Sequence, residues 1–233
     1  MGASYYRSLA RVKLNGNWGL SVLVCFLAMI MGGNIIKYTY TLNISQEILV
    51  QLPPLVQKLY FAASDINVKL GYLAFIIGGP AMLGNCRYHL NQHDGKEMHL
   101  KDLFSGFERW GEAFVLSLLQ TIFIILWTLL FIIPGIIASY RYAMAFFILE
   151  ENPGMKAKEA LNASKRLMKG HKWELFCLDM SFIGWVLLCM LTFGIGYIFL
   201  TPYASASRTA FYRTLIAEST EPKEEYRQVV VEF

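Results

Sequence analysis

Long apolar runs constrain this chain more than any other feature of its sequence. The most regular of them are Trp18–Ile36, Leu70–Cys86, Ala113–Ile133 and Leu175–Phe193. A helix needs about 20 residues to cross the ~30 Å hydrocarbon layer of a bilayer, and each run is close to this length. Two less regular runs, Gly135–Leu149 and Gly194–Phe211, follow turn signals. The sequence therefore predicts six transmembrane segments.

The pattern within these runs favours helices over strands. Polarity does not alternate along them, and a lipid-exposed backbone must satisfy its hydrogen bonds within the segment, as a helix does. Charged residues make up 16% of the 233 residues, against about 25% in ordinary soluble domains. We therefore expect an all-α polytopic membrane protein with the phospholipid bilayer as its main partner.

The 21 Lys and Arg residues are unevenly distributed between the connections. Seventeen lie near the two termini, in Arg87–Arg109 and in Glu150–Lys172, whereas Lys37, Lys58 and Lys69 are the three on the other side. Cytoplasmic connections are enriched in basic residues, so we expect three hairpins with both termini cytoplasmic. The net charge of +4 is then explained by topology and attraction to anionic lipid headgroups, without a nucleic-acid partner.

Each predicted hairpin has the same sequence landmarks. A tryptophan starts it, and a proline followed by an arginine marks its second helix: Trp18, Pro80 and Arg87; Trp110, Pro134 and Arg141; Trp173, Pro202 and Arg208. This regularity predicts three repeats, approximately 5–90, 98–150 and 154–217, within one transmembrane domain over 1–217. A charged cytoplasmic tail, 218–233, follows. The alternative is that multispan proteins generally place tryptophan and basic residues at membrane interfaces.

Two segments have amphipathic patterns. The first follows Pro153, and its apolar face carries Ala157, Ala160, Leu161, Ser164, Leu167 and Met168. Its basic residues are Lys158, Lys165, Arg166 and Lys169. We expect this helix to lie along the cytoplasmic leaflet with its basic side chains at the headgroups, although solvation of a charged face would give the same pattern. The second segment is the insertion 37–68, and its pattern predicts a broken amphipathic helix on the outer membrane surface.

Motifs for metal binding or catalysis are weak. Cys86, His89 and His93 have a spacing that could place ligands for one metal on a helix, but interfacial histidines are the simpler interpretation. The four cysteines all fall in apolar runs and form no CxxC pair, which favours small apolar side chains over a disulfide or zinc site. No motif of a hydrolase, phosphate loop or cofactor site is present, so we expect no cofactor and no enzyme.

Arg141 is a charged residue within an apolar run, and such residues usually face a protein interior and find a partner. By helical rise, Asp179 and Arg141 lie about 9 Å and about 13 Å from the cytoplasmic interface. The difference between these depths is less than the reach of an extended arginine side chain. We therefore predict an Arg141–Asp179 pair, supported by Tyr140, Tyr142 and Ser181 and with Arg141 facing any anion. The alternative is that each charge reaches the interface or a backbone carbonyl by itself.

Several stretches resemble a known family: "FIIPGIIASYRYAMAFFILEENP", "EALNASKRLMKGHKWELFCLDMSFIGWVLL", "LTFGIGYIFLTPYASASRTAFYRTL" and the leading "LNGNWGLSVLV". The family is the bacterial integral-membrane family known as domain of unknown function 975, and the resemblance covers about residues 5–217. It implies a six-helix protein of the bacterial cytoplasmic membrane and no particular chemistry. We expect a non-enzymatic protein that binds lipid, an amphipathic solute or a membrane-protein partner. A solute or lipid transporter and an intramembrane lipid-modifying enzyme are the alternatives.

Overall fold

The structure is a computed structural model that describes residues 2–29, 31, 53–192 and 196–219, with only the backbone at 55–56 and 58–75. All regular secondary structure in these residues is helical, which confirms the all-α prediction. The helices are α1 (Ala3–Leu14), α2 (Trp18–Ala28), α3 (Pro54–Asp94), α4 (Lys101–Phe104), α5 (Trp110–Leu130), α6 (Ile132–Arg141), α7 (Ala145–Glu151), α8 (Ala157–Leu167), α9 (Lys172–Met180), α10 (Ile183–Leu191) and α11 (Tyr197–Glu218). The first half of the predicted insertion (37–52), the predicted turn at 193–195 and nearly all of the predicted tail lie outside the described residues.

Three helical stretches are long and apolar enough to cross a membrane, rather than the six predicted. Within the described residues they are Trp110–Leu130, Ile132–Glu151 and Lys172–Leu191. The first is α5, the second joins α6 to α7, and the third joins α9 to α10. The described part of the first predicted span is a helix of 11 residues, and α11 includes Arg208 and Arg213 among its 22 residues. Helices α2 and α11 are therefore not among the stretches that are long and apolar enough to cross a membrane.

Helix α3 differs most from its prediction. A boundary was expected near residue 69, between the insertion and the second span, but the helix runs without a break for 41 residues. Pro54 occupies the first turn, where its missing N–H costs nothing. Gly95 ends the helix with a left-handed φ of +71°. At 1.5 Å per residue, α3 is about 60 Å long, roughly twice the thickness of a bilayer's hydrocarbon layer.

The buried core includes residues from most of the described helices. The centre of this core is α7, in which residues 145–149 are all buried. Helix α1 packs on α11, and α8 packs on α5 and α7. The apolar face of α8, including Ala160 and Leu161, is therefore covered by protein and not by the bilayer surface as expected. The basic residues Lys158, Lys165 and Arg166 of α8, and Lys169 just after this helix, are exposed.

Large apolar side chains are exposed mainly in two segments of the chain. They cluster in residues 121–137 and in the described part of 183–199, and Leu129 and Leu191 are 83% and 81% exposed. Contiguous apolar surface of this kind marks contact with a membrane or with another protein. We call these two segments the apolar belt.

A tight crossing joins α3 to the turn at 105–107. A Cβ atom on Gly84 would lie 1.8 Å from the carbonyl oxygen of Leu103, and one on Gly106 would lie 2.1 Å from that of Pro80. Neither position has space for a side chain, so the backbones approach as closely as glycine permits. This contact fixes the segment before α5 against α3.

The predicted repeats are only partly reflected in the helices. Trp18 and Trp110 are the first residues of α2 and α5, as the predicted hairpin starts require. The three arginines, however, have different surroundings: Arg87 lies 3.5 Å from Glu150, Arg208 pairs with a carboxylate of α9, and Arg141 forms no ion pair among the described residues. The threefold repeat stays a prediction.

Candidate functional site

A cavity of about 430 Å³ lies between α1, α2, α10 and α11. This volume is within the ~300–1,000 Å³ range of ligand pockets in proteins. Most of the wall is aromatic or aliphatic, and it includes Trp18, Trp185, Leu188, Phe199, Leu200 and Tyr203. Trp185, Leu188 and Phe199 also belong to the apolar belt, so the cavity is continuous with the apolar surface.

Two arginines of α1, Arg7 and Arg11, complete the cavity wall. They are four residues apart and therefore lie on the same face of the helix. One Nη atom of Arg7 donates a hydrogen bond to the carbonyl oxygen of Ser181 at 3.3 Å, whereas its Nε is buried without a partner. Arg11 is exposed. No carboxylate in the described part of the chain lies within ion-pair distance of either guanidinium, so this end of the cavity is positively charged.

Contacts with α9 and α11 hold the α1 segment that carries these arginines. The hydroxyl of Tyr203 donates to the carbonyl oxygen of Arg7 at 3.3 Å. The Tyr6 hydroxyl donates to Glu174 of α9 at 3.4 Å, and the Tyr6 ring packs edge-on against Phe211, also of α11. Burial, together with the nearby Glu174 charge, raises the pKa of Tyr6 to about 12, so its hydroxyl stays a donor at neutral pH.

Asp179 pairs with Arg208 instead of the predicted partner, Arg141. The Arg208 guanidinium donates to both Asp179 oxygens, at 3.0 and 3.1 Å from Nη2 and 3.2 Å from Nε. Tyr140 lies near the Asp179 carboxylate. The carbonyl oxygen of Arg141 accepts a hydrogen bond from Ser164 at 2.9 Å. Equal depth along two helices does not decide which arginine faces the carboxylate.

The other two predicted supporting residues have structural contacts. Tyr142 is buried, and its ring lies 5.9 Å from that of Phe123. The Ser181 hydroxyl donates within its own turn to the carbonyl oxygen of Leu178 at 2.6 Å. Ser181 nevertheless contributes to the cavity, because its backbone carbonyl holds Arg7. Sequence reasoning missed Arg7 and Arg11, although their spacing of four residues beside Trp18 was a usable signal.

The weak metal candidates do not converge. Among the described residues, no group of three or more His, Cys, Asp or Glu side chains could hold a metal. Cys86 is buried, and Nδ1 of His93 lies 3.6 Å from a carboxylate oxygen of Asp94. His89 contacts Gln92 through Nδ1 at 3.0 Å and Cys25 through Nε2 at 3.4 Å.

His89 belongs to a buried polar cluster that joins α2 to α3. Gln92 donates to the Ser21 hydroxyl at 2.8 Å, and that hydroxyl lies 3.0 Å from the hydroxyl of Tyr88. Burial lowers the pKa of His89 to about 4, only partly opposed by the hydrogen bond to Gln92. The imidazole is therefore neutral at physiological pH, and the cluster acts as an uncharged hydrogen-bonded link between two helices.

A second polar cluster joins α3, α7 and α11. Arg213 forms ion pairs with Glu151 and Asp94. Arg109 donates to the carbonyl oxygen of Leu149, in the last turn of α7, at 2.6 Å and to that of Met155, beyond the end of α7, at 3.3 Å. These contacts satisfy carbonyl groups at a helix end and neutralise charge, which is a structural role.

Comparison with known protein families gives a match over part of the chain. Residues 129–219 match the family described as Protein of unknown function (DUF975). The predicted resemblance is confirmed over this segment. The DUF975 segment contains the α10 and α11 walls of the cavity, whereas Arg7, Arg11 and Trp18 lie outside it. No curated protein matches the chain, and no solved structure matches it.

Proposed function

We propose that this protein is a non-enzymatic membrane protein that binds the hydrocarbon chain of a lipid in the cavity between α1, α2, α10 and α11. The apolar cavity wall, continuous with the apolar belt, carries this proposal. A hydrocarbon chain gains free energy by leaving water for such a wall. A lipid already in the bilayer can also reach the cavity sideways without crossing water.

The proposed location is the cytoplasmic membrane of a bacterium, with both termini on the cytoplasmic side. Exposed apolar side chains of residues 121–137 and 183–199 would contact lipid tails, and the basic side chains of α8 would lie near the cytoplasmic headgroups. A cysteine placed at Lys165 tests this orientation. It should react with a membrane-impermeant maleimide only after cells are permeabilised, and reaction in intact cells would contradict the orientation.

The size of the cavity limits what it can hold. A volume of about 430 Å³ is near the lower end of the ~300–1,000 Å³ range of ligand pockets. It suits one alkyl chain better than a complete two-chained lipid. The remaining chain of a bound phospholipid would stay in the surrounding bilayer, beside Phe199 and Leu188, which are partly exposed on the belt.

Photolabelling with a matched pair of variants tests the binding proposal. Leu188 lines the cavity and is 53% exposed, whereas the neighbouring Leu187 is 60% exposed and is not part of the wall. Leu188→Trp should fill the cavity and reduce labelling of its wall by a phospholipid with a diazirine in one chain. Leu187→Trp adds the same side chain one residue away and should leave cavity labelling unchanged. Equal labelling of the cavity wall in both variants would contradict the proposal.

A further inference from the structure

We infer that the cavity selects a phospholipid with an anionic headgroup, whose phosphate region is bound by Arg7 and Arg11. This inference rests on the proposed function, because the same cavity holds the lipid chain. The occupant is a lipid of the surrounding membrane and not a soluble anion, since the wall beyond the arginines is aromatic and aliphatic. Charge and apolar surface therefore meet in one site, as they do in a lipid.

The arrangement of donors supports an anionic ligand. An arginine has five N–H donors, and the described hydrogen bonds of the Arg7 side chain use one Nη atom, at Ser181. Its buried Nε has no partner in the protein, and a buried unpaired donor on a charged group is unfavourable. A phosphate oxygen at the cavity end would satisfy such donors, and planar guanidinium groups bind phosphate with paired hydrogen bonds.

The charge distribution points the same way. Arg7 and Arg11 lie one turn apart on α1, where like charges repel each other. Their guanidinium groups have no acidic partner among the described residues, unlike Arg208 and Arg213, which are both paired with carboxylates. An anionic headgroup between the two arginines would relieve this repulsion, whereas a zwitterionic headgroup brings a cation as well as a phosphate.

The test compares two photolabelling phospholipids with identical diazirine-bearing chains, one with a phosphatidylglycerol and one with a phosphatidylcholine headgroup. The purified full-length protein is labelled in nanodiscs of neutral lipid, and labelled cavity-wall peptides are quantified by mass spectrometry. The main variant is Arg11→Gln, because Arg11 is exposed and its side chain forms no hydrogen bond among the described contacts. Arg166→Gln makes the same change at an exposed site on α8, outside the cavity wall, and is the control.

We expect the phosphatidylglycerol probe to label the wild-type cavity several-fold more than the phosphatidylcholine probe. Arg11→Gln should reduce that preference by about five-fold, the effect of about one basic side chain near an anionic headgroup, and Arg166→Gln should not change it. Arg7→Gln, checked for an unchanged unfolding temperature, should act in the same direction. Equal cavity labelling by both probes, or an unchanged preference in both Arg7→Gln and Arg11→Gln, overturns the inference while leaving chain binding intact. Absence of cavity labelling by either probe overturns the proposed function as well.

Discussion

Replacing Gly84 by alanine tests the close crossing between α3 and the segment before α5. The new Cβ would lie 1.8 Å from the carbonyl oxygen of Leu103, whereas ordinary contact begins near 3.4 Å, so the two backbones must separate by about 1.6 Å. Overpacking typically costs about 1–3 kcal/mol, and the gain in helix propensity from glycine to alanine returns at most ~1 kcal/mol. Because the obstructing atom is backbone and cannot rotate away, we expect a cost at the upper end of this range and a net loss of about 2 kcal/mol.

The measurement can use the protein's own cysteines. Cys25, Cys86 and Cys189 are buried and free, so a thiol-reactive fluorescent dye reports their exposure as detergent-solubilised protein is heated. A loss of about 2 kcal/mol should lower the apparent midpoint by about 4–8 °C for a chain of this size. Gly111→Ala is the matched control, because a Cβ there meets no atom within 4 Å and the midpoint should hold or rise. Equal midpoints for Gly84→Ala and the wild type would refute the reasoning.

Two further predictions concern polar contacts. A double-mutant cycle on Asp179→Asn and Arg208→Gln should show a coupling free energy of up to about 1 kcal/mol, since the ion pair is bidentate but partly exposed. The cycle that combines Asp179→Asn with Arg141→Gln should be additive. Coupling of Asp179 to Arg141 instead would favour the pair predicted from sequence. His89 should make stability fall as pH decreases from about 6.5 to about 4, because the unfolded chain binds a proton there that the folded chain excludes. His89→Gln should flatten this fall by up to about 3 kcal/mol, and an unchanged pH dependence in that variant would exclude the assignment.

Local sequence signals predicted where helices form better than they predicted which residues those helices contact. Apolar continuity predicted helix through α5 and α10, and tryptophan marked the first residue of α2 and α5. The boundary expected near residue 69 was wrong, because the apolar run begins at Leu70 but α3 already begins at Pro54. Hydropathy shows where apolar residues start, whereas backbone hydrogen bonding can continue through a less apolar stretch. A proline in the first turn then starts the helix without disrupting it.

Periodicity also could not show what covers an apolar face. The face of α8 that includes Ala160 and Leu161 has the pattern of a helix on a membrane, yet α5 and α7 cover it. The small size of its alanines was the missed signal, since small residues permit close helix packing. The cavity was missed for a related reason: Arg7 and Arg11 were interpreted through their charge alone, and their neighbours α10 and α11 are distant in sequence.

The contact between α1 and α11 has a consequence for synthesis. Tyr203 follows Arg7 by 196 residues, and at ~5–20 residues per second the ribosome takes about 10–40 s to produce the chain between them. Throughout that interval Arg7 and Arg11 are present without the helix that closes their site. A ligand of the cavity can therefore meet its complete wall only after α11 has been synthesised.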